Sequence, residues 1–229
     1  MQIPELARDR YTPQIKAFIH IIRQFIANPD IQRILVVGCG PGYEAVIMQE
    51  LLGCRVFGVD LNQQYETWMR SFVQLQNYDG IALPFKNNVF DAVYSFHVLE
   101  HACDPALLLA EISRVLKPGA PAYIGVPNRS RMLAYFGVRD KSFKSKLRQN
   151  IKDWQARLQG KFHNEFGAHA GFTQAELDRL MKKYYTRIYP VTHLYYSDKH
   201  PLLKPLLTGV FKLSLHKIML PSLYIVGIK

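Results

Sequence analysis

The sequence predicts an α/β fold: a doubly wound, mostly parallel sheet with helices on both faces. Three observations carry that expectation. Short, wholly apolar, β-branched runs recur along the chain, the mark of strands buried on both faces. Helical patterns alternate with them. The first run leads through Gly38-Cys39-Gly40-Pro41-Gly42 directly into a helix. At 229 residues, one domain with its own core is expected.

Each element has its own signal. Residues 10–27 place Ile15, Phe18, Ile19, Ile22 and Phe25 at helical spacing. Residues 34–37 read as a buried strand, 44–52 as a helix, 55–59 as a second strand and 63–71 as a shorter helix. A third strand is expected near 73–78 and a fourth at 92–96. The helix at 105–116 stops at Lys117-Pro118-Gly119, a breaker and turn. A fifth strand follows at 122–126. The alternation then halts over residues 129–172, a basic and aromatic-rich insertion. Thr173 with Glu176 three residues on is a capping-box pattern, opening a helix at 173–183. Residues 187–194 and 222–227 supply the sixth and seventh strands, with a helix at 205–217 between them. Residues 1–229 thus read as one domain, with 129–172 as a helical lid between the fifth and sixth strands.

Composition narrows the class. Lys and Arg number 29 against 18 Asp and Glu, a net charge of +11. Hydrophobic residues make up 48%, which excludes global disorder. Cys39, Cys54 and Cys103 form no C-x-x-C pair, so neither a disulfide scaffold nor a zinc knuckle is expected. Residues 1–10 lack the apolar run of a signal peptide. The apolar stretch 205–228 is broken by Lys212, His216 and Lys217, which excludes a membrane span there. A cytoplasmic protein is expected. The charge excess suits an anionic partner or simply solubility.

The glycine loop carries the most chemistry. Glycines permit a tight turn and close approach of a ligand to the backbone, and a helix N-terminus favours an anion or carboxylate. A dinucleotide fingerprint, G-x-G-x-x-G, would need glycine where Tyr43 stands. The Lys-Ser/Thr of a phosphate-binding loop is absent. The loop therefore suits a cofactor without a pyrophosphate. Asp60 ends the second strand, where an acidic side chain can accept both hydroxyls of a ribose.

These residues resemble the class I S-adenosylmethionine-dependent methyltransferases. The resemblance runs from Gly38-x-Gly40-x-Gly42 and Asp60 through Asp79-Gly80-Ile81-Ala82-Leu83-Pro84-Phe85, Phe90-Asp91 and Val98-Leu99-Glu100-His101 to Arg114-Val115-Leu116-Lys117-Pro118-Gly119. It covers residues 34–128. It implies a Rossmann-like seven-stranded sheet and S-adenosylmethionine as cofactor. It assigns Gly38, Gly40 and Gly42 to the methionine moiety and ribose, Asp60 to the ribose hydroxyls, and Leu61 to the adenine face. Asp79 would accept from the adenine amino group and Gly80 would offer its N–H to the ring. Ser95 and Phe96, placed just beyond the fourth strand, would lie near the sulfonium. The pattern around Val98 to His101 is similar to small-molecule methyltransferases of the quinone-biosynthesis kind.

Methyl transfer is an in-line displacement, so alignment and exclusion of water dominate. A general base is needed only where the acceptor is protonated at neutral pH. Its candidates are His97, His101 and His169, with His163 nearby. His163 and His169 flank Glu165, but their spacing fits no single helix face, and no metal is expected.

In the insertion, Phe143, Leu147, Ile151, Trp154 and Leu158 share one helix face over residues 139–160. Lys144, Lys146, Arg148 and Lys152 lie between them. The preferred reading is a lid that packs its apolar stripe on the substrate pocket. An anionic membrane surface is a second partner for it, and RNA a weaker third. Residues 201–220 add another apolar and basic stretch. The expected acceptor is a small molecule, lipophilic or anionic. The alternatives are an RNA or protein methyltransferase, or a non-catalytic cofactor-binding module.

Overall fold

The computed structural model describes residues 3–26, 30–61, 67–132, 134, 142–164 and 170–229. Seven strands form one sheet: β1 Arg33–Val37, β2 Arg55–Asp60, β3 Gln74–Asn77, β4 Ala92–Phe96, β5 Pro121–Pro127, β6 Arg187–Pro190 and β7 Ser222–Ile228. Their order is β3-β2-β1-β4-β5-β7-β6. The first five run parallel, and β7 is antiparallel to both β5 and β6. Leaving β1, the chain winds out to β3, then returns to β4 on the other side. The crevice between β1 and β4 is therefore the switch point, where open α/β sheets bind ligands at the carboxyl ends of strands.

Helices α1 (Glu5–Ile22), α2 (Tyr43–Leu52), α6 (Thr192–Lys199) and α7 (Lys204–Lys212) cover one face. Helices α3 (Pro105–Val115) and α5 (Gln174–Met181) cover the other. Alternate strand residues serve the two cores: Ile34 and Val36 face one, Leu35 and Val37 the other. This two-sided burial explains the unbroken apolar runs. Helix α3 opens on the Asp104 carboxylate, which accepts from Ala106 and Leu107 N–H. Helix α5 has the Thr173–Glu176 capping box. Helix α4 (Phe143–Leu158) stands between β5 and α5, and α8 (His216–Met219) precedes β7.

The differences from expectation have physical causes. Helix α1 starts five residues earlier than the apolar spacing suggests, right after Pro4, and tolerates Pro13 in its interior. Beyond Ile22 the chain passes into tight turns, and residues 27–29 lie outside the described set. The short helix expected at 63–71 is a 3₁₀ turn at Thr67–Ser71, its earlier part lying outside the described residues. Strand β6 ends at Pro190, which cannot donate to a ladder, and the expected strand to residue 194 becomes helix α6 instead. The helix expected at 205–217 breaks at Ser214, whose φ of 57° is left-handed, giving α7 and α8.

The largest correction concerns α4. Its apolar stripe does not pack on a pocket: Phe143 is 68% exposed, Ile151 49% and Leu158 86%. Its one buried residue is Asn150. The helix is held by polar bonds from an adjacent face, detailed below.

Candidate active site

The loop between β1 and α2 is tied to the end of β2. Gly38 and Cys39 N–H both donate to the Val59 carbonyl, at 2.8 and 3.1 Å. Gly40 N–H donates to the Asp60 carboxylate at 2.7 Å. The three glycines divide their tasks. A Cβ on Gly38 would lie 2.1 Å from the Val98 side chain, and one on Gly42 would press on Leu75 and Met69. Gly40, by contrast, faces open space, with nothing within 4 Å of a Cβ position. Its backbone is left-handed, at φ 49°. Gly40 thus leaves its backbone open beside the Asp60 carboxylate.

The loop after β3 completes a second wall. Asn77 pairs with Asp60 in register, so Asp79 follows just beyond the same sheet edge. The Asp79 Oδ1 accepts from Ile81 and Ala82 N–H, at 2.8 and 2.9 Å. Those two bonds hold its carboxyl below the ordinary range. Gly80 is left-handed at φ 81°, and a Cβ there would lie 3.1 Å from Leu61 Cδ2. Leu61, Asp79 and Gly80 are therefore neighbours. Arg114 fastens this loop from α3: it donates to the Leu83 and Phe85 carbonyls and pairs with Glu111, which accepts from Leu83 N–H. Asp91, by contrast, is structural. It lies at the opposite strand end and accepts from Gln32 N–H, Arg33 N–H and Lys117 Nζ.

Ser95 and Phe96 belong to β4 itself rather than lying beyond it. Ser95 is 1% exposed, between Val37 and Ile124. Phe96 is half-buried at the strand end and stacks near Tyr94 and Tyr224. His97 comes next, in a left-handed conformation at φ 56° that a non-glycine residue adopts at a cost. Its N–H donates to the Gly125 carbonyl, its Nε2 lies 3.1 Å from Ser222 Oγ, and its Nδ1 lies 3.4 Å from Glu100 Oε1. Glu100 is buried, and neither of its carboxylate oxygens has a hydrogen-bond partner. His101 approaches the same Oε1 only to 3.8 Å and is half exposed. His163 is exposed, and His169 lies outside the described residues. Among the described residues no cluster of three or more His, Cys, Asp or Glu could hold a metal.

A buried polar knot escapes sequence reading. Beneath α1, Gln14 donates to the Glu44 carboxylate and, at 2.7 Å, to Tyr94 Oη, which donates in turn to Glu44 at 3.1 Å. Burial raises the Glu44 carboxyl to about 7. Tyr94, Tyr123 and Tyr224 stack beside it across three strands. The signals in the sequence are a polar Gln14 bordering an apolar stripe and an acid in the first turn after Gly42.

Residues 35–124 match a family model described as "Methyltransferase domain". The chain is 30% identical over 131 residues to a Mycolicibacterium smegmatis protein named "Probable S-adenosylmethionine-dependent methyltransferase", covering 56% of this chain and 49% of that one. It is 33% identical over 96 residues to a sterol 24-C-methyltransferase of Schizosaccharomyces pombe, covering 38% and 25%. The chain spans about half or less of the length of these relatives. The plantazolicin methyltransferase BpumL, solved with S-adenosylhomocysteine (SAH), superposes with a TM-score of 0.62 at 15% identity, over 97% of this chain and 87% of that one. The chain has a class I methyltransferase fold, and its match to the methyltransferase-domain model falls on residues 35–124. In that segment the glycine loop, Asp60 and the Asp79 loop share one edge, as do Phe96 and His97. Within the matched segment, motifs divide by edge: Gly40 and Asp60 meet at the carboxyl ends of the strands, and Asp91 braces their other ends.

Proposed function

We propose that this protein transfers a methyl group from S-adenosylmethionine to a small lipophilic or anionic acceptor. One observation carries the reading: Gly40, open on its Cβ side, meets the Asp60 carboxylate at the switch point of a methyltransferase domain. The residues present fit the cofactor. Asp60 is placed to accept from ribose hydroxyls, Gly40 leaves room at the backbone, and Leu61 with Gly80 walls a flat ring whose amino group Asp79 accepts. Gly38 and Gly42 shape the turn that aims Gly40. When bound, the cofactor supplies a methyl group made electrophilic by the positive sulfonium.

The chain's own task is then to align an acceptor and exclude water. Phe96 closes the end of β4 with an apolar ring, next to the buried Ser95. His97 is the first candidate to take a proton from an acceptor, because its ring stands at the carboxyl edge between Ser222, 3.1 Å from its Nε2, and the buried Glu100, 3.4 Å from its Nδ1. His101 is the second and His169 the third. Residues 1–229 are one domain in this reading, with 129–172 an insertion between β5 and β6. The sterol acceptor named for one relative supports a lipophilic substrate. Such a substrate fits a cytoplasmic protein with peripheral contact to an anionic membrane surface. No described helix is long and apolar enough to cross a membrane.

Calorimetric titration with S-adenosylmethionine tests the reading. Binding is expected, weakened about 30-fold or more in Asp60→Ala, which removes a charged acceptor. A folded protein that binds neither the cofactor nor SAH would overturn it.

A further inference from the structure

Helix α4 turns its polar side to the protein and its apolar side to solvent. Asn150 Oδ1 accepts from Ala134 N–H at 2.7 Å, and its Nδ2 donates to the Ala134 carbonyl at 2.8 Å. Asp153 pairs with the buried Arg131 at 3.2 Å, and Arg157 donates to the Arg131 carbonyl at 2.9 Å. Asn150, Asp153 and Arg157 share one face. At ~100° per residue the stripe of Leu147, Ile151, Trp154 and Leu158 lies about a quarter turn away, and all four are exposed. A further quarter turn on, Lys144, Arg148 and Lys152 form an exposed basic row.

The apolar surface continues past this helix. Trp154 Nε1 donates to the Met132 carbonyl at 3.0 Å, and Met132 N–H donates to the Ile218 carbonyl at 2.7 Å. Met132 is 50% exposed, Ile218 38% and Met219 52%. The stripe of α4 therefore passes through Met132 onto α8. Residues 201–219, which contain α7 and α8, have no acidic residue at all, while Lys204, Lys212 and Lys217 are exposed. Asn128, at the end of β5, anchors this segment by donating to the Lys217 and Leu220 carbonyls. The surface thus stands at the carboxyl edge of the sheet, the edge that carries Gly40 and His97.

We infer that α4, Met132 and α8 together form a docking face for an anionic lipid bilayer. The charge decides the occupant. Exposed leucine, isoleucine and tryptophan flanked by lysine and arginine match an acyl boundary beneath anionic headgroups, whereas a second copy would bring a like-charged face against this one. The face is separate from the cofactor chemistry, and its test needs none of it.

The test is flotation of the full chain with phosphatidylcholine vesicles, with and without phosphatidylglycerol. The protein is expected to float with the anionic vesicles only, and to be released by salt. Leu147→Glu/Ile151→Glu should weaken that binding by about tenfold or more, as should Lys144→Glu/Lys152→Glu. Both pairs are exposed, so the melting temperature should hold, and SAH titration checks that the cofactor site is unchanged. Failure of the wild-type protein to bind anionic vesicles at low salt would overturn the inference. So would self-association that the same variants disperse without any vesicle binding, which would give the face to a second copy. RNA binding that ignores the apolar substitutions would overturn it as well. Loss of SAH binding alone would count against the methyltransferase reading and leave the docking face standing.

Discussion

Helices α3 and α4 are both amphipathic, yet they solve opposite problems. In α3, Leu108, Leu109, Ile112 and Val115 are buried on the sheet. In α4 the stripe looks outward and the inward contacts are polar. Periodicity therefore tells that a helix has an apolar side, and not what that side meets. The difference lies in the neighbours. Helix α3 crosses between two parallel strands and must lie on their sheet. Helix α4 hangs from the loop after β5, where backbone groups of Arg131, Met132 and Ala134 need partners, and polar side chains meet that need.

The contrast predicts a graded series of effects. Leu109→Ala should cost about 2–5 kcal/mol in denaturant unfolding, as for a buried leucine. A cost below about 1 kcal/mol would contradict the tight core under α3. Glu44→Gln probes the polar knot. The Glu44 carboxyl is raised to about 7, so its stabilising neutral form is fully present below the ordinary carboxylate range and lost as pH rises through 7. The variant should match wild type near pH 5 and exceed it at pH 8, by at most about 3 kcal/mol. Equal stability curves at both pH values would remove Glu44 as the titrating group.

Asn150→Ala should come next. It leaves the Ala134 N–H and carbonyl without their side-chain partner, at about 1–3 kcal/mol, and should loosen α4 first. Hydrogen exchange should speed up in residues 143–158 with little change in α3; equal change in both would mean the two helices form one cooperative unit. Ile151→Ala should be the smallest, within about 0.5 kcal/mol. A larger loss would show that the α4 stripe is buried in solution.

The sheet is legible in the sequence wherever a strand is buried on both faces. Strand β4 matches its expected bounds, and β1, β2, β5 and β7 fall within a residue or so, because Val, Ile and Leu runs there have one physical meaning. The tail is less legible. Residues 192–194 are expected as strand, yet they open α6, which buries Tyr195 and Tyr196 against Tyr224, a contact from another part of the chain. The glycine loop and Asp60 can be read from their spacing, whereas the Asp79 loop can be read only through the family resemblance. The Gln14–Glu44–Tyr94 knot cannot, because it joins residues 30 and 50 or more positions apart. The direction of the α4 stripe cannot be read either, since it follows from bonds to residues 131–134.

The central claim is that Gly40 and Asp60 form the cofactor's seat. A crystal structure with SAH tests it most directly. The ribose hydroxyls should lie about 2.5–3.0 Å from the Asp60 carboxylate, with the adenine between Leu61 and Gly80. Ligand bound elsewhere, with the Gly40–Asp60 crevice empty, would contradict it.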